Sequence, residues 1–139
     1  MWRGLAADNK RVWPGKRQPS QGNAPAPISL DVEEMRRRLA DDDELIADVI
    51  RLFLEECPAR VHAIAAALES ADAGQVQTVA HALRGSASML AAHGVANAAH
   101  TLESLGDSHD LVTARAHFPA LVEEMDRLIG ALQELQPRR

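Results

Sequence analysis

The chain has 139 residues, room for one ordinary domain with a real core. Its hydrophobic fraction is 46%, but aromatics make up only 3% and tyrosine is absent, so small and aliphatic side chains must fill the interior, which suits close-packed helices. Charge is uneven: residues 1–27 carry five basic residues against Asp8, a net +4, and the remainder carries 10 basic against 19 acidic residues, a net −9, an acidic body that argues against nucleic acid as a partner.

Residues 1–27 show no hydrophobic periodicity and contain Pro14, Gly15, Pro19, Ser20, Gly22, Pro25 and Pro27, the composition of a disordered leader or linker. Residues 28–136 read as the folded domain. A short helix is predicted from near Asp31, an N-cap followed by Glu34 in capping-box spacing, to Leu39. Asp41 to Glu44 then cap a second helix carrying Leu45, Val49, Leu52, Phe53, Val61, Ile64 and Leu68 on its apolar face. Pro58 lies inside it and is expected to kink or break it. Within the same helix Cys57, the single cysteine, excludes an internal disulfide and a cysteine-based zinc cluster. It fits a reducing cytosol, and a cytoplasmic location is expected.

A third helix is predicted from about Gly74 or Gln75 to Ala92. Gly94 should separate it from a fourth, about Val95 to Leu105, which stops at Gly106. The last runs from about Leu111 to Leu135 with Phe118, Leu121, Met125, Leu128 and Leu132 as its apolar stripe and Pro119 marking a start or kink. Five helices with short connections and no strand signal define an all-α domain. No apolar run reaches the roughly 18 to 20 residues that span a bilayer, and no apolar region follows Met1 as in a secretory signal, so membrane insertion is not expected.

The third helix carries the most informative segment, His81 to Leu90. At about 100° per residue, Val76, Val79, Leu83, Ala87 and Leu90 form one apolar stripe, and His81 falls more than roughly 150° from its centre. It should therefore face outward. Arg84 at i+3 and Gly85 at i+4 are its neighbours on that surface, and Ser88 lies a further turn along. A glycine within a helix costs about 1 kcal/mol relative to alanine. Bare backbone beside an exposed imidazole suits the close approach of another molecule.

The run His81-Ala82-Leu83-Arg84-Gly85-Ser86-Ala87-Ser88-Met89-Leu90-Ala91-Ala92, continuing through Val95 to Leu102-Glu103, resembles the histidine phosphotransfer (HPt) domain family, whose core pattern is His-x-x-Lys-Gly, small residues and Leu-Gly-Ala. Upstream, Leu30 to Met35, the acidic turn Asp41 to Glu44, and Leu52-Phe53-Leu54-Glu55-Glu56-Cys57-Pro58 are similar to it as well, so the resemblance covers roughly Ile28 to Gln136. Two positions depart from the pattern. Arg84 stands where lysine is usual, keeping the charge but offering a planar fork, and Ala91 stands where glycine is common, which should slightly alter helix packing.

The resemblance implies an antiparallel four-helix bundle with the short first helix capping one end. It also implies that His81 is the phosphoacceptor through Nε2, that Arg84 stabilises phosphoryl charge and that Gly85 gives steric access. An imidazole with a pKa near about 6.5 is nucleophilic at neutral pH. Gln77 and Ser88 are possible supporting residues, Gln77 one turn before His81 and Ser88 on its face.

The sequence has no glycine-rich nucleotide loop, and Glu-x-x-His pairs for a dimetal bundle are missing. His62, His93, His100, His109 and His117 are scattered, so no metal site and no cofactor of its own is expected. The implied role is a phosphocarrier of a two-component phosphorelay, not an enzyme. It would accept phosphoryl from a receiver-domain aspartyl phosphate and pass it to another receiver. Its partners would be response-regulator receiver domains or a hybrid sensor histidine kinase, with Mg²⁺ supplied by the receiver; a monomer is expected. Two other readings stay open, the phosphoacceptor domain of a chemotaxis-type kinase and a non-catalytic helical scaffolding bundle.

Overall fold

The computed structural model describes residues 30–135, and the predicted leader lies outside them. Among these residues there are five helices and no strand: α1 (Val32–Arg38), α2 (Asp43–Glu69), α3 (Ala73–Met89), α4 (His93–Asp107) and α5 (Leu111–Leu135). Helices α2 to α5 pack as a closed ring, α2 on α3, α3 on α4, α4 on α5 and α5 back on α2, with the α3–α4 seam the most extensive. Every buried residue among those described is apolar. The core is built on Ile50, Val61, Ile64, Leu83, Leu90, Leu102, Phe118, Met125 and Leu132, all fully or nearly fully enclosed. Burying each such side chain stabilises by about 1.5–3 kcal/mol. No described helix is long and apolar enough to cross a membrane.

Three-residue turns joining the long helices follow one recipe. The middle residues Ala71, Ala91 and His109 sit at φ 58°, 58° and 60°. The third residue then donates its N–H five residues back, Asp72 to Ala67 (2.8 Å), Ala92 to Ala87 (2.9 Å) and Asp110 to Leu105 (2.9 Å). These bonds satisfy carbonyls that a helix end would otherwise leave unpaired. Asp72 and Asp110 also cap the next helix through Gln75 N–H and Thr113 N–H, both at 3.1 Å. Ala92 has no side chain with which to do so. The absence of glycine at Ala91 thus bears first on the backbone, since the buried alanine occupies the left-handed region that glycine adopts without penalty.

Four expectations about the elements need correction. Pro58 does not break α2, which runs unbroken for 27 residues. Pro119 does not start α5; it lies inside a helix that begins at Leu111 behind Asp110. Gly94 lies within α4, the separation being made by Leu90 to Ala92. Gly106 is also inside α4, buried and with no positive φ, so it does not end the helix. The predicted stripe of α2 holds for Phe53, Val61, Ile64 and Leu68, which are buried, but Leu45 and Leu52 are 40% and 46% exposed, while Ile46, Ile50 and Cys57 face inward.

Helix α1 lies across the end of the ring at the α3–α4 turn. Asp31 caps it by accepting from Glu34 N–H at 3.0 Å, but the Glu34 carboxylate does not complete a capping box. It pairs instead with Arg38 and with His93 Nε2 at 2.9 Å. Arg38 donates to the Ser88 carbonyl, and Asp31 N–H donates to the Ala91 carbonyl at 3.1 Å. Met35 and Leu39 seal the end of the core.

Candidate functional site

The site is built on adjacent faces of α3 and α4, halfway along the bundle. On α3, burial of Val76, Ala80, Leu83 and Ala87 turns His81 outward, and its side chain is 65% exposed. On α4, burial of Val95, Ala99, Leu102 and Gly106 brings Glu103 to the flank facing α3, with its side chain 17% exposed. His81 Nδ1 lies 2.8 Å from Glu103 Oε2, and Arg84 Nε donates to Glu103 Oε1 at 2.7 Å. The Arg84 Nη2 is 3.3 Å from His81 Nδ1, and His100 Nδ1 is 3.8 Å from Glu103 Oε1. One carboxylate thus serves the Arg84 guanidinium and the His81 imidazole through its separate oxygens.

Electrostatics fix the protonation pattern. The hydrogen bond from Arg84, aided by that from His81, holds the Glu103 carboxyl below its ordinary 4.5 despite the opposing effect of burial. An ionised Glu103 can only accept, so the proton of a neutral His81 belongs on Nδ1. Nε2 is then the nitrogen with the available lone pair. The Glu103 contact at 2.8 Å is shorter than the 3.3 Å approach of Arg84 Nη2, which could only donate to Nδ1, so the carboxylate favours the Nδ1–H tautomer and orients the ring, as in other sites where a carboxylate aligns a histidine.

Gly85 is exposed, and a Cβ there would meet nothing within 4 Å. Ser86 turns to α2, where its Oγ accepts from Arg60 Nη1 at 2.8 Å. The Ser88 carbonyl is held by Arg38. Gln77 is directed toward Asp107, its Nε2 3.4 Å from Oδ1, and not toward His81. Arg84, expected to serve the phosphoryl group directly, has Glu103 as its nearest partner.

Sequence reasoning passed over Glu103, which entered only as the tail of the resemblance. A signal existed: between Asp72 and Asp107 the chain carries just one acidic and one basic residue, Glu103 and Arg84. Two isolated opposite charges on neighbouring helices in an otherwise uncharged hairpin invite pairing.

A second cluster, Asp31, Glu34 and His93, brings three potential metal-ligating atoms within 4.8 Å of one another. Its atoms already hold α1 to the bundle: Asp31 caps the helix, and Glu34 is shared between Arg38 and His93. Cys57 is buried, and burial pushes its thiol up to about 12, so it stays protonated and unreactive.

The family pattern of the Hpt domain matches residues 48–135, from α2 to the end of α5. The chain belongs to the Hpt domain family. No curated protein and no solved structure matches it beyond that pattern. As an Hpt domain it has a phosphotransfer role in two-component phosphorelays, in which such modules carry phosphoryl groups and interact with receiver domains or kinases. The match begins at Asp48, so α1 and the first turn of α2 lie outside it.

Proposed function

We propose that His81 is the phosphoacceptor and that it takes its phosphoryl group from the aspartyl phosphate of a receiver domain and returns it to another. The observation that carries this reading is the 2.8 Å contact between His81 Nδ1 and Glu103, which leaves Nε2 as the nucleophile on a ring that is mostly exposed. Nε2 attacks phosphorus in line, the Nε2–P bond forms, and the bond from phosphorus to the aspartyl oxygen breaks, releasing the receiver's carboxylate. The imidazole gains positive charge as the bond forms. Glu103 stabilises that charge through the Nδ1 proton, a preorganised electrostatic contribution that needs no rearrangement during the step. Arg84 keeps Glu103 ionised and adds positive charge beside the incoming phosphoryl group. Gly85 leaves room for the partner. The receiver brings the Mg²⁺ that neutralises the phosphoryl oxygens.

The test uses receiver domains from the source organism, charged with acetyl phosphate in the presence of Mg²⁺. The protein should acquire acid-labile, base-stable label, and His81→Gln should abolish it without changing the helical circular dichroism. Label persisting in that variant, or found on another histidine, refutes the assignment. Label arriving only from ATP through a kinase domain would keep His81 and replace the donor.

A further inference from the structure

Gly106 has no role in the motif that carries His81, and the sequence reads it as a helix stop. In the structure it is a buried residue inside α4, and what it lacks is space. A Cβ there would lie 2.8 Å from Gln77 N, 3.0 Å from Ala73 O and 3.1 Å from Gln77 Cα, all backbone atoms of α3. Gly85 would accept a Cβ in open space, and Gly74 would meet one atom at an ordinary 3.8 Å. Gly106 is therefore where α3 and α4 touch backbone to backbone.

That contact sits one helical turn from the site. Gly106 follows Glu103 by three residues, and Gln77 precedes His81 by four, so the pair Gly106–Gln77 is the next rung on the seam after Glu103–His81. A turn rises only about 5.4 Å, and a hydrogen-bonded helix moves as a unit over that length. We infer that Gly106 is a positioning residue for phosphotransfer, because its missing side chain sets the α3–α4 spacing at which Glu103 reaches His81 Nδ1.

The tolerance is small. Restoring ordinary contact between a Cβ and Gln77 N requires α4 to retreat by about 0.6 Å. The same retreat takes the 2.8 Å contact of Glu103 with His81 to about 3.4 Å, beyond the usual hydrogen-bond range of about 2.7–3.2 Å. Backbone atoms cannot swing aside as a side-chain tip would, so the helix itself must move. The expected consequence is loss of the selected tautomer, with the bundle still folded.

The inference rests on the reading of His81 as phosphoacceptor, and two readouts separate their failures. In Gly106→Ala, the imidazole ¹⁵N shifts of His81 should move from the Nδ1–H pattern toward that of a free histidine, and receiver-dependent phosphotransfer should slow at least about fivefold. In a Glu103→Gln background, the same substitution should cause no further slowing, since its effect passes through Glu103. If the wild-type chain is not labelled, the phosphoacceptor reading falls, while the ¹⁵N shifts still decide the role of Gly106. A folded Gly106→Ala with unchanged shifts and rate overturns the inference, as does a loss that adds fully to that of Glu103→Gln. Should Gly106→Ala not fold, Glu103→Asp lengthens the same gap by one methylene and leaves the seam alone. It should show both effects, and wild-type behaviour of that variant overturns the claim that this spacing matters.

Discussion

On the function proposed for His81, Glu103, a carboxylate that the sequence carries only at the tail of the family resemblance, determines which ring nitrogen reacts. Glu103 accepts from Arg84 and from His81 through different oxygens, so Glu103→Gln keeps the shape and removes the charge. Phosphotransfer should slow about tenfold or more, equivalent to roughly 1.4 kcal/mol in the barrier, and rapid-quench kinetics with a charged receiver would measure it. Because the folded Glu103 is held below its ordinary 4.5, the stability it contributes is complete above that value and is lost as pH falls through the lower folded value. The melting-temperature gap between wild type and Glu103→Gln should therefore close on acidification below about pH 4.5; a gap that persists there would show the carboxylate charge to be irrelevant. Gly85 offers the opposite test. With open space around it, Gly85→Leu should fold as well as wild type or better, by up to about 1 kcal/mol from helix propensity. It should nonetheless transfer at least about tenfold more slowly, since the leucine stands where the partner approaches. Unfolding of Gly85→Leu would contradict the exposed position. His81, Arg84 and Gly85 were legible because all three lie on one helix and obey its period. Glu103 was signalled only by its isolation among uncharged residues, because its partner is 22 residues away and only the folded hairpin joins them.

At the scale of elements, helix existence and the aspartate caps at Asp31 and Asp42 were legible, and the glycine and proline punctuation was not. The apolar stripe of α5 predicted that helix to the residue, and that of α3 placed its start within two residues but ran three residues past its end at Met89, since periodicity reports burial and not the turn that follows. Glycine and proline misled. Gly94 and Gly106 are inside α4, and Pro58 and Pro119 lie within helices that continue past them. The turns are made instead by Ala71, Ala91 and His109 in the left-handed region, where a Cβ is disfavoured. No sequence rule assigns alanine to such a position. The geometry is imposed by the helix-end hydrogen bonds and the packing of the flanking helices, which outweigh the local cost. Ala71 is exposed, so Ala71→Gly should relieve that cost without opening a cavity. Stability is expected to rise by about 0.5–1 kcal/mol, read as a shift in urea midpoint with unchanged slope. A decrease would mean that the flexibility of glycine in the unfolded chain outweighs the relief.

Across the described molecule, every buried residue is apolar and these side chains fix the helices, while the chemistry proposed for the chain rests on a few polar groups on the α3–α4 face. With no glycine-rich nucleotide loop in the sequence, the isolated protein mixed with ATP and Mg²⁺ should acquire no phosphate. Label appearing under those conditions, with contaminating kinases excluded, would point to an unsuspected catalytic site. The three-residue turns bear on a different matter, the route by which the chain reaches this structure. Each joins helices that are also neighbours in the ring, so α2–α3, α3–α4 and α4–α5 can zip up from their turns, and only the α5–α2 seam needs partners distant in sequence. Chains dominated by such local pairings fold within microseconds to milliseconds. The His81–Glu103 pair, carried by the hairpin with the most extensive seam, is then expected among the earliest tertiary contacts, ahead of the closure of the ring, and a folding φ-value near zero for Leu102→Ala in that seam would overturn this order.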